Sequence, residues 1–231
     1  MKKICSLILT VTLIGSTAIS AETDDSGRSK GSGASYVSVE TNEPTYEKKI
    51  DILKKHGILV NDIPEKTELL TRQKFVAVAC RMMMIKEDAA AESEFSDVTE
   101  NTEYAGYISA AKNIGLINGC GDGTFRPDNS ITYDEAVKIL VTCLGYAPLA
   151  DSTGGYPTGY MSVASKIVLT EGLSFDNRDF VDTENAVQLI NNALDIPLMQ
   201  QVGFGAAVEY KIADGSNGDK IITLTTRLEN K

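Results

Sequence analysis

Arg72 stands one residue after Thr71 at the head of an apolar-periodic run, where a cation is well placed to meet a negatively charged ligand. The first turn of a helix carries partial positive charge, and a guanidinium can hold a carboxylate through two parallel bonds. The competing reading is an ordinary solvated first-turn Arg. Asp97, in the stretch FSDV from Phe95 to Val98, also has two readings. It orients ligand hydroxyls, or it is simply an acid favourably placed ahead of a helix. The loop from Gly121 to Pro127 (GDGTFRP) has glycines for positive φ, a proline that fixes the turn and Phe125 as a core plug. It reads as mainly architectural, with Arg126 its one candidate for ligand contact.

Other chemistries find little footing. The only histidine, His56, follows Lys54 and Lys55 and precedes Gly57, at a helix end where cations complement the dipole. No second histidine completes a metal pair, no glycine-rich loop follows a strand to cradle phosphate, and no nucleophile has a base in register. No catalytic residue, metal site or cofactor is therefore expected, and the chain reads as no enzyme. The acids of the GDGTFRP loop and of DGSNGD (Asp214 to Asp219) do not fit the alternating oxygen ligands of a calcium loop. Beyond Cys5, the cysteines are Cys80, Cys120 and Cys143, an odd count that allows at most one internal disulfide. Cys80 and Cys143 lie on apolar helix faces and are expected as buried free thiols.

The chain that positions these groups has 231 residues, of which 42% are hydrophobic and 23% charged, a globular composition. Residues 1–21 read as a secretory signal: Lys2 and Lys3, an apolar run from Ile4 to Ile14, then small residues up to Ala21. That run falls short of the roughly 20 residues a membrane span needs, so the mature protein is expected outside the membrane. Removing two lysines and no acid moves the net charge from -10 to about -12, which disfavours nucleic acid and anionic membrane as partners. Residues 22–45, rich in Ser, Gly, Thr and acids, read as a flexible spacer.

From there the sequence repeats. Between Phe95 and Tyr146, helical spacing over Tyr104, Tyr107, Ile108, Ala111 and Ile114 ends at Gly115, a left-handed cap. After the loop, Thr132 with Glu135 forms a capping box ahead of a second apolar run. The same helix, loop, helix plan recurs over 46–87 and 154–199, and units of this size need one another to bury their apolar faces. The predicted class is mainly α. Residues 200–231 read as a short β-hairpin around a Gly/Asp/Asn turn, either packed on the repeats or opening a further domain.

The unit 95–146 resembles the S-layer homology domain of bacterial surface proteins, through FSDV, IGLINGCGDGTFRPD (Ile114 to Asp128) and ITYDEAVKIL (Ile131 to Leu140). By order and spacing, 46–87 and 154–199 are similar as degenerate copies without the GDGTFRP loop. The resemblance implies three repeats in a pseudo-threefold spindle around a central helical bundle. It also implies grooves that bind secondary cell-wall polysaccharide, often pyruvylated, at the cell wall or in an S-layer. In the family the second helix often opens Thr-Arg-x-Glu, its Arg meeting the glycan's negative groups. Here only Thr71-Arg72 keeps that Arg; Tyr133 and Thr183 stand in its place elsewhere. One or two competent grooves follow. With no Trp in the chain, sugar stacking falls to tyrosines such as Tyr133. The glycan-binding set implied is Thr71, Arg72, Asp97, Arg126 and Tyr133. The alternatives are a surface protein-interaction scaffold with decayed grooves, or the N-terminal anchor of a longer surface enzyme or adhesin.

Overall fold

Three polar residues start three helices of the body by accepting a hydrogen bond from the third backbone amide of the first turn. Thr45 does so from Lys48, Thr71 from Lys74 and Asp182 from Asn185. The computed structural model describes residues 44–60, 65–88, 93–173, 175, 179–203, 205 and 208–231. Its helices are α1 (Tyr46–Lys55), α2 (Arg72–Met82), α3 (Ala105–Asn113), α4 (Tyr133–Cys143), α5 (Ala147–Ser152), α6 (Thr158–Lys166), α7 (Thr183–Leu194) and α8 (Leu224–Glu229). The expected signal segment 1–21 and nearly all of the spacer 22–45 lie outside the described residues.

The helices pack in rotation. α3 lies on α2, α6 on α4, and α1 on α7, so each pair joins successive helix-loop-helix units and the last returns to the first. The segments that lead into α2, α4 and α7 are tied in the same cyclic order. Leu70 N–H donates to Val181 O at 2.9 Å, Val181 N–H to Ile131 O at 3.0 Å, and Ile131 N–H to Leu70 O at 2.9 Å. A second tier satisfies the first amide of each helix, which has no partner within the helix: Arg72 donates to Asn129 O, Tyr133 to Asp179 O and Thr183 to Glu68 O. Leu70, Ile131 and Val181 are buried at the centre, and one continuous apolar core runs through the described body.

The first helix of each unit ends in the same device. Gly57, Gly115 and Val168 take left-handed backbone at φ 70°, 73° and 57°. The residue after each, Ile58, Leu116 and Leu169, donates back to Leu53 O, Ala111 O and Ala164 O at 2.9 Å and is buried. Gly115 is thus the cap its spacing predicts. Val168 was not foreseen there, because a β-branched residue is unfavourable in this conformation.

Several expectations need correction. Tyr107 shares the helical spacing of the buried Ile108 and Ala111, yet it is only half-buried, because its hydroxyl accepts from Arg81 Nε at 3.3 Å at the rim. The tail is only partly a hairpin. β1 (Met199–Gln201) pairs antiparallel with β2 (Tyr210–Ile212), after which LTTRLE forms α8 rather than a strand. Thr223 caps α8 through Thr226, and its apolar residues Leu224 and Leu228 are buried where α8 packs on α7. The helix α5 was also unforeseen.

Candidate functional site

Arg72 is the first residue of α2, and its charge is already matched. Nη1 lies 2.5 Å from Glu135 Oε1, Nε donates to Phe125 O at 2.9 Å, and the guanidinium sits 4.8 Å over the Phe125 ring. Only 11% of the side chain is exposed. Glu135 is equally committed, because its Oε2 accepts the Thr132 N–H at 3.1 Å as half of the predicted capping box. One carboxylate thus starts α4 and fixes the head of α2.

The other candidates separate. The Thr71 hydroxyl is the α2 cap, and its backbone bridges to Ser130. Asp97 clamps the loop: Oδ1 accepts Phe125 N–H at 2.8 Å and Oδ2 accepts Arg126 N–H at 2.7 Å, leaving the architectural reading as what its carboxylate does. Arg126 is an exposed side chain paired with Asp122 at 2.8 Å. The hydroxyl and amide of Thr124, together with Arg126, hold the Asp122 carboxyl down to about 2. Arg126 does not line the cleft at Arg72. Tyr133 is a correction. It is 3% exposed, its ring centroid is 4.5 Å from that of Phe175, and burial raises its pKa. A core tyrosine offers no face to a sugar.

The cleft around Arg72 encloses about 110 Å³ and is formed by the head of α2, the segment Leu116–Gly119 after α3, and the first turns of α4. Sequence reasoning missed two of its walls, Lys138 and Tyr156. Lys138 Nζ stands 4.9 Å from the centre of the Tyr156 ring. The Tyr156 hydroxyl donates to Asp134 Oδ2 at 2.7 Å, and burial together with that carboxylate raises its pKa. A signal for Tyr156 was present. A tyrosine stands at or just before the start of each unit's first helix, Tyr46, Tyr104 and Tyr156, and each carries a cation over its ring: Lys66, Arg81 and Lys138. Lys66 also pairs with Glu47 and Glu184 at 3.8 and 3.6 Å, which leaves the three places unlike in charge. Among the described residues no cluster of three metal-ligating side chains occurs, and no helix is long and apolar enough to cross a membrane.

Cys80 and Cys143 are free and buried, as expected, and Cys120 is free and exposed. Burial pushes the Cys80 thiol up to about 12 and raises that of Cys143 as well.

Residues 94–137 match the model of the S-layer homology domain. That stretch supplies one wall of the cleft and Glu135. Among curated proteins, the chain is 27% identical over 161 residues to the middle cell wall protein of Brevibacillus brevis, covering 68% of this chain and 15% of that protein. It is 27% identical over 162 residues to the surface layer protein of Brevibacillus choshinensis, covering 68% and 14%. It is 40% identical over 77 residues to exoglucanase XynX of Acetivibrio thermocellus, covering 33% and 7%. The chain therefore spans about one seventh of the length of the surface proteins it matches, and with the enzyme it shares the S-layer homology region rather than a catalytic domain. The match at residues 94–137, together with the similarity to these cell-surface proteins, makes the chain a secreted protein of the cell surface.

Proposed function

We propose that this chain holds its bearer on the cell wall by binding secondary cell-wall polysaccharide, without catalysis. The observation that carries the reading is the cleft at the head of α2, where Arg72 and Lys138 bring two cations together in a protein of net charge -10. A concave site with cations, an amide and an aromatic face suits a saccharide that bears a carboxylate, such as a pyruvylated sugar.

We read 46–87, 95–146 and 154–199 as three S-layer homology repeats in a pseudo-threefold spindle. The cyclic hydrogen bonds among Leu70, Val181 and Ile131 support this. Residues 1–21 are read as the export signal. One competent groove is the expectation, since the helix-opening positions equivalent to Arg72 are Tyr133 and Thr183, both buried. A second reading, the anchor of a longer surface enzyme, is favoured by the match to the exoglucanase. It differs in cargo and not in how the wall is held.

Co-sedimentation with purified sacculi tests the proposal. The protein should pellet with sacculi that retain their non-peptidoglycan polymers and stay in solution after those polymers are removed by acid. Equal pelleting with both, or with neither, contradicts it.

A further inference from the structure

The two cations of the cleft are not equivalent. Arg72 has given Nη1 to Glu135, Nε to a carbonyl and its face to Phe125. Lys138, five residues into α4, is half-buried, and no carboxylate pairs with it among the described residues. The acids nearest in sequence are engaged elsewhere. Glu135 accepts from Arg72 and from Thr132 N–H. Asp134 accepts from the Tyr156 hydroxyl, the Thr132 hydroxyl and Glu135 N–H. What holds the ammonium is the Tyr156 ring, and a cation over an exposed ring is a weaker partner than a carboxylate.

We propose that Lys138, rather than Arg72, receives the acidic group of a bound saccharide, while the Tyr156 ring offers the surface on which the sugar lies. Arg72 is then a positioning residue that sets the cleft floor through Glu135. This rests on the wall-polysaccharide reading above. The ligand class is a sugar with one carboxylate projecting beside an apolar ring face. The ammonium swings from the ring to the carboxylate, which frees the aromatic face as the charge is satisfied. Asp134 fixes the Tyr156 ring through its hydroxyl, so the platform is in place before the ligand arrives. Asn118, exposed at the rim, is the amide positioned for a sugar hydroxyl.

Binding of the full chain to sacculi that retain their non-peptidoglycan polymers, measured with thermal midpoints, separates the roles. Lys138→Gln should weaken binding roughly 10- to 100-fold, the loss of one charge-assisted bond, with the thermal midpoint near that of the parent. It should also flatten the dependence on salt, because the lost contact is the screened one. Lys138→Arg should restore most of the affinity. Arg72→Gln should lower the thermal midpoint, and its remaining binding should keep the parent's salt dependence. Lys138→Gln binding as tightly as the parent, with the same salt dependence, overturns this assignment alone. Failure of the parent to bind overturns the wall-polymer reading, and this assignment with it.

Discussion

Glu135 holds Arg72 at 2.5 Å with one carboxylate oxygen while the other accepts the Thr132 amide at 3.1 Å. The first helix turn of one unit is thereby locked to that of the next. Arg72 exposes 11% of its side chain and Glu135 32%, so solvent screens the pair only in part. Removing one partner strands a half-buried charge, which is costlier than the pair itself is favourable.

Arg72→Ala should therefore destabilise the protein by about 2 kcal/mol, a fall in melting temperature of roughly 4–8 °C for a domain of this size. A double-mutant cycle with Glu135→Ala should give a coupling of about 1–2 kcal/mol. Additive effects of the two substitutions would show that the contact does not hold the units together.

Val168 takes the left-handed cap that Gly57 and Gly115 take elsewhere, and its side chain is 56% exposed, so little packing is at stake. Val168→Gly should stabilise by about 0.5–1 kcal/mol, because relief of strain outweighs the extra freedom of glycine in the unfolded chain. The reverse change, Gly115→Val, should cost about 1–2 kcal/mol by the same strain; a Cβ at Gly115 meets nothing within 4 Å. Urea midpoints of the two variants check both signs. A destabilised Val168→Gly would mean the strain is absent.

The buried thiols make the fold sensitive to alkali. In the folded state the Cys80 thiol is pushed from 9.0 up to about 12, and Cys143 moves the same way. The unfolded chain thus releases these protons first. Their contribution is fully present below pH 9 and is lost as pH rises through the window up to about 12. Urea midpoints measured across that window should fall more steeply for the parent than for Cys80→Ala/Cys143→Ala. At neutral pH a thiol reagent should label Cys120 quickly and the other two only on unfolding. Equal alkaline slopes, or fast labelling at Cys80, would contradict the burial account.

Much of the body was legible because its signals are local. The capping box of Thr132 and Glu135, the Gly115 terminator and the apolar spacing of α4 each act within a turn or two of chain. Partnerships across units were not. That Arg72 meets Glu135, that Tyr133 turns into the core against Phe175, and that Lys138 and Tyr156 face one cleft depend on how the units pack. Helical spacing carries no record of that. The tail was misread because Ile221, Thr223 and Thr225 mimic a strand, whereas burial of Leu224 and Leu228 against α7 selects a helix.

Titration calorimetry of the purified protein with the polymer released from sacculi by acid tests the central claim most directly. The account predicts saturable binding at about one site per chain, weakened by salt as expected for a carboxylate ligand meeting a partly exposed cation. No heat of binding to the polymer, or binding indifferent to both salt and Lys138→Gln, would contradict it.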